Sequence, residues 1–151
     1  MDNELKFEEI KKLIPHREPF IYLDSLVDIV KLKRASGIKT FKKNEEFFKG
    51  HFPGNPVVPG VILVEMMAQT AAALIAYSLK SETFDKIVYL MNVESTKFRS
   101  PIFPEMRVKA DVESLRSRGR VWKFYGKMRD DHNNLVCESI WSAMIMDRKD
   151  V

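Results

Sequence analysis

Glu65 stands in the stretch 61–79, VILVEMMAQTAAALIAYSL, where nearly every neighbour is apolar. A lone carboxylate there costs stability unless it is paired or kept neutral. Desolvation favours the neutral acid, so such a group can hold a proton near neutral pH and deliver it to a substrate. Gln69 falls one helical turn later, placed to hydrogen-bond the carboxyl or to orient a substrate. The competing reading is a buried glutamate satisfied by backbone donors or a neighbouring strand, and the helix pattern alone does not separate the two. His51 lies upstream, between Gly50 and Phe52-Pro53-Gly54, which hold its backbone stiffly. An imidazole is the side chain best suited to accept and return a proton near pH 7; the alternative is a histidine merely hydrogen-bonded within a loop. The third element is the helix start at Pro59-Gly60-Val61. Free backbone N–H groups at Gly60 and Val61, at the positive end of the helix dipole, favour a developing negative charge. Base, acid and anion site are the parts needed to eliminate water from a 3-hydroxyacyl thioester. The base removes a proton from C2, the amides hold the carbonyl as it gains enolate character, and the acid protonates the departing hydroxyl. The sequence does not show that the three meet.

The elements that must position these groups are a buried helix, a stiff loop and a sheet. The loop 50–60, GHFPGNPVVPG, has three glycines and three prolines in eleven positions, which excludes regular helix or central strand. Pro59 is tolerated in a first helical turn because its missing N–H would be unpaired there anyway. The helix, 60–79, is apolar on every face, with alanine at 68, 71, 72, 73 and 76, so it is buried in a core or in lipid. Glu65, Gln69 and Thr70 argue against lipid, where a carboxylate at depth is expensive. Residues 7–14 read as a short amphipathic helix ended by Pro15. Strands are expected over 20–30, 36–42, 86–93, 106–113, 121–129 and 135–146; Val108, Ala110 and Val112 alternate with charged residues at the period of a half-buried strand. One long buried helix followed by antiparallel strands predicts an α+β domain whose sheet wraps a single helix.

Composition bounds the rest. The 151 residues, 45% hydrophobic and 30% charged, suit one globular domain over 1–151, and no repeat or linker marks a second. The opening MDNELKFEEIKKL lacks a secretory leader pattern, and the single cysteine, Cys137, allows no internal disulfide, so a reducing cytoplasm is expected. His16, His51 and His132 lie too far apart for a familiar metal spacing, so no metal is expected. The net charge of +4 is either a solvated surface or a footprint for a small acidic protein. No basic run or RNA-binding aromatic signature points to nucleic acid.

The segment 44–69, NEEFFKGHFPGNPVVPGVILVEMMAQ, closely resembles the signature of the (3R)-hydroxyacyl-[acyl-carrier-protein] dehydratases of bacterial type II fatty-acid synthesis, the FabZ group. The resemblance extends through IPHREPFIYLD at 14–24 and TKFRSPIFPEM at 96–106. It implies a hotdog fold, with no cofactor and with acyl carrier protein as partner. It implies that His51 is the catalytic histidine, Glu65 the catalytic acid, Gly60 the backbone donor to the thioester carbonyl and Gln69 a supporting polar residue. It also implies homodimers, with His51 of one subunit facing Glu65 of the other, grouped as trimers of dimers. The related dehydratase/isomerases carry aspartate where this chain has Glu65, which favours the plain dehydratase. Glu46, Val58 and Pro104-Glu105-Met106 depart from the pattern, and the last puts the geometry of that turn in question. Phe98, with Leu63, Met66, Met67 and Ile102, is a candidate for the acyl tunnel wall, though such residues are as often plain core. Lys97 and Arg99 are candidates for docking the carrier protein, as are Arg116, Arg118 and Arg120. His16 and Arg17 read as structural. A hotdog thioesterase and a non-catalytic acyl-binding module are the alternative functions.

Overall fold

A computed structural model describes residues 4–79 and 86–147; the ends of the expected 1–151 span lie outside the described residues. In chain order the elements are β1 (Leu5–Lys6), α1 (Phe7–Ile10), β2 (Ser25–Val30), β3 (Arg34–Thr40), a 3-10 turn (Glu46–Lys49), α2 (Gly60–Leu79), β4 (Lys86–Val93), β5 (Lys97–Phe98), β6 (Arg107–Arg118), β7 (Val121–Asp130) and β8 (Leu135–Asp147). The strands form one antiparallel sheet in the order β1-β2-β3-β6-β7-β8-β4, with β5 beside β8 along the same edge as β4. The sheet wraps α2, whose buried residues run from Leu63 to Ala76 with few gaps. This is the expected α+β hotdog architecture. By length and composition α2 could cross a membrane, yet two-thirds of its most apolar stretch is buried inside the fold.

Small residues set how closely helix and sheet approach. Gly37 in β3 pairs with Ala110 in β6 at the contact with α2. A Cβ on Gly37 would meet the Thr70 hydroxyl and lie 2.6 Å from Leu23 Cδ2, too close for any side chain. Along β6, Val108, Ala110 and Val112 turn inward while Arg107, Asp111 and Glu113 turn outward, the alternation a pleated strand requires. Trp141, Phe124 and Met128 complete the core against the helix. Cys137 is buried there as well, and burial pushes its thiol up to about 12, so it acts as a small apolar residue.

Three expectations need correction. The strand expected from Phe20 begins only at Ser25, because the backbone at Phe20 and Tyr22 bonds to the Gln69 side chain instead of to another strand. The helix expected over 7–14 closes at Ile10 and continues as turns to Ile14, while β3 spans Arg34–Thr40 rather than 36–42. The turn left in question at 103–106 does form. Glu105 takes φ 71°, the left-handed region usually given to glycine, and its amide donates to the Phe41 carbonyl at 2.6 Å. Its carboxylate accepts the Lys43 N–H at 3.1 Å with Lys42 at 3.5 Å, and these contacts hold it below the usual carboxylate range.

Because Gly37 is where helix and sheet touch, Gly37→Ala is expected to lower unfolding free energy by about 1–3 kcal/mol. Gly50→Ala, where a Cβ meets nothing within 4 Å, is expected to change it little. Chemical denaturation of the two variants checks both.

Candidate active site

The loop 50–59 holds His51 through its own backbone. The His51 amide donates to Phe47 O at 3.0 Å, its carbonyl accepts from Val57 N at 3.0 Å, and Phe52 and Asn55 exchange two hydrogen bonds across the glycine-proline turn. The ring stacks on Phe52 with centroids 4.0 Å apart. His51 Nδ1 lies 2.8 Å from the Val57 carbonyl oxygen. A carbonyl only accepts, so Nδ1 carries the proton and the neutral ring keeps its lone pair on Nε2. The half-buried imidazole is thus fixed in the tautomer a general base needs.

Glu65 is not fully enclosed: its side chain is 20% exposed and opens on a small cavity of about 40 Å³. Its Oε1 accepts from Gln69 Nε2 at 3.0 Å. Gln69 is buried and fully engaged: Nε2 also donates to Phe20 O at 3.0 Å, and Oε1 accepts the Tyr22 N–H at 2.8 Å. With a donor on one side and an acceptor on the other, the orientation of that amide is unambiguous. His16 Nε2 stands 3.5 Å from the same Glu65 Oε1, so the histidine read as purely structural lies against the acid. Nearby Tyr22 is pushed up to about 12, first by burial and then by the carboxylates of Glu45 and Glu65.

Gly60 opens α2, and its missing side chain is what lets Phe98 lie over the helix start; a Cβ there would sit 2.9 Å from the ring. Among the described residues neither the Gly60 nor the Val61 amide donates to a backbone carbonyl of a loop or turn, as the anion-site reading requires. Phe98 remains 53% exposed on β5, flanked by exposed Lys97 and Arg99. Arg99 is already paired with Glu138 at 3.0 Å and holds that carboxylate below its usual range. Arg116, Arg118 and Arg120 are exposed around the β6–β7 turn. The cavity at Glu65 is walled by His16, Ala68, Ala72, Val88, Leu90 and Ala143, not by the residues picked out from sequence. Leu63, Met66, Met67 and Ile102 are sealed core. On α2 the alanines Ala68 and Ala72 leave this space beside Glu65.

The structure therefore brings together Glu65, Gln69 and His16, and separately Gly60 and Phe98. His51 and Glu65 share no hydrogen bond or ion pair among the described residues, and His51 does not line the cavity. No group of three or more metal-ligating side chains occurs among those residues. Because Gln69 satisfies two backbone groups as well as the acid, Gln69→Leu is expected to cost about 2–4 kcal/mol in unfolding free energy. It is also expected to depress turnover; denaturation and steady-state kinetics measure the two effects.

Comparison with known proteins places this geometry. Residues 14–139 match the model of the FabA-like domain. The chain is 47% identical over 140 residues to the 3-hydroxyacyl-[acyl-carrier-protein] dehydratase FabZ of Acidiphilium cryptum, covering 93% of this chain and 84% of the relative. It is 45% identical over 145 residues to the protein of that name from Paramagnetospirillum magneticum, covering 96% and 89%. In fold it is similar to the dehydratase heterocomplex ApeI:P of Xenorhabdus doucetiae, with a TM-score of 0.79 at 12% identity over 93% of this chain and 92% of that one. A thioesterase superfamily member of Thermus thermophilus shares the fold at a TM-score of 0.62 and 16% identity, over 81% and 87% of the two chains. The chain belongs to the FabA-like domain family and, within it, to the FabZ group of 3-hydroxyacyl-[acyl-carrier-protein] dehydratases.

Proposed function

We propose that this chain, one domain over 1–151, dehydrates (3R)-3-hydroxyacyl-[acyl-carrier-protein] to the trans-2-enoyl product in type II fatty-acid biosynthesis, in the cytoplasm. The observation that carries the reading is the state of Glu65: one carboxyl oxygen is held by Gln69 while the group faces a cavity walled, His16 apart, by apolar side chains. The second oxygen is left to exchange a proton with substrate. His51, with Nδ1 committed to Val57 O, removes the C2 proton at Nε2. The Gly60 amide polarises the thioester carbonyl as negative charge gathers on it. Glu65 then protonates the C3 hydroxyl as the C–O bond breaks, and the C2–H electron pair becomes the C2=C3 double bond.

The working unit in this reading is a homodimer, with His51 of one subunit facing Glu65 of the other. The separation of the two residues within one chain supports it. So does β4, which ends the sheet with Tyr89, Leu90, Met91 and Val93 exposed and one edge of its backbone unpaired by any described strand. Such an edge is a template for a second copy. Trimers of dimers follow from the family likeness. Lys97, beside exposed Phe98, is the proposed contact for the acidic carrier, with Arg99 sharing its charge with Glu138.

His51→Ala and Glu65→Gln are each expected to cut turnover of a 3-hydroxyacyl carrier-protein substrate by on the order of 10²–10⁴-fold while the fold remains intact. The assay follows the conjugated enoyl-thioester absorbance, with circular dichroism to check folding. Release of free thiol without enoyl product would assign a thioesterase instead, and near-normal turnover in either variant would overturn the mechanism.

A further inference from the structure

We propose that His16 is a positioning residue for the acid: its Nε2–H, with the Gln69 amide, holds Glu65 Oε1 so that the transferable proton sits on Oε2. The inference rests on the reading of Glu65 as the general acid and assigns a task to a histidine that the mechanism above leaves idle.

Gln69 Nε2 donates to Glu65 Oε1 at 3.0 Å, and His16 Nε2 lies 3.5 Å from the same oxygen, within ion-pair reach but outside hydrogen-bond geometry. Oε2 receives no hydrogen bond from any described residue. His16 Nδ1 is buried and has no hydrogen-bond partner among the described residues. A proton on Nδ1 would be a buried donor with no acceptor among the described residues, which favours the tautomer with the N–H at Nε2. The ring therefore presents its N–H to Glu65. Its backbone is fixed on both flanks. Arg17 donates to the carbonyls of Ile14 at 3.0 Å, His16 at 2.6 Å and Lys11 at 2.9 Å, while Gln69 pins Phe20 and Tyr22. At 3.5 Å the contact is long for a hydrogen bond to a neutral acid, and catalytic contacts commonly tighten as charge develops. When the Oε2–H bond breaks and the proton passes to the departing hydroxyl, the negative charge left on the carboxylate is met at Oε1 by the Gln69 amide already in place and by the His16 N–H as it closes on it.

Three variants of the full chain test this in steady-state turnover of a 3-hydroxyacyl carrier-protein substrate, with the unsubstituted protein alongside. His16→Phe keeps a planar ring without the N–H. His16→Gln sets an amide N–H at the reach of Nε2, and His16→Asn stops short at the reach of Nδ1. The expected result is a fall in kcat of about ten- to a hundredfold for His16→Phe with KM within about twofold, most of it recovered in His16→Gln but not in His16→Asn. Unchanged kcat in His16→Phe, or a loss expressed in KM alone, overturns the proposal. If His16→Phe does not fold, equal kcat in the Gln and Asn variants overturns it. Absence of turnover in the unsubstituted protein would instead sink the dehydratase reading itself.

Discussion

The amide of Gln69 joins the three parts of this molecule that have to agree. It sits in the middle of a helix with almost no solvent contact, where an unpaired polar group costs several kcal/mol, and every one of its polar atoms is matched. On one side it closes the backbone of the segment at Phe20 and Tyr22. On the other it reaches the acid one turn earlier on α2. The segment bound in this way carries Pro15, His16 and Arg17 across the helix, so the wall of the cavity and the orientation of Glu65 follow from one side chain. An otherwise apolar helix tolerates such a group because its partners are the irregular segment at Phe20 and Tyr22 and the carboxyl of Glu65.

The His51 loop is anchored by a different but parallel device. Lys39, buried in β3, lies 3.4 Å from Glu45 and 3.9 Å from Asp24, with its ammonium over the Phe41 ring. Glu45 precedes the 3-10 turn that runs directly into Gly50 and His51. Breaking a buried pair of this kind leaves an uncompensated charge, so the segment has little freedom to drift. Glu65 is thus tied to the segment at Phe20 and Tyr22 through a neutral amide, and the loop of His51 to β3 through an ion pair. Each device is local, which is why a mildly basic net charge says little about the site.

Much of this was legible in the sequence, and for identifiable reasons. The helix at 60–79 is unmistakable because no other element is apolar on every face for that length, and the loop 50–60 because three prolines leave few backbone options. The hairpins β6–β7–β8 follow from alternation. The residues at 20–24 favour strand, whereas the Phe20 carbonyl and the Tyr22 amide bond to a side chain 47 or more positions away, a partner no local pattern reveals. His16 beside Glu65 was missed for the same reason. The small cavity beside Glu65 carries no local sequence signal because its lining, Ala68 and Ala72 of α2 with Val88, Leu90 and Ala143 of the sheet, comes together only in the fold. The turn at Glu105 shows the reverse: a residue with a side chain occupies a glycine conformation because neighbouring Lys42 and Lys43 compensate it.

The bond from His51 Nδ1 to Val57 O has a stereochemical consequence. A histidine with both nitrogens free could approach an α-carbon from more than one direction or pass a proton through the ring from one side to the other. Here one nitrogen is retired by a backbone carbonyl, and stacking on Phe52 limits rotation of the ring. On the proposed mechanism the same atom that takes the C2 hydrogen must return it when the reaction runs backward. On that mechanism, with substrate held in one orientation, isotope introduced from solvent at C2 would enter a single prochiral position, delivered by the one nitrogen that the Val57 carbonyl leaves free.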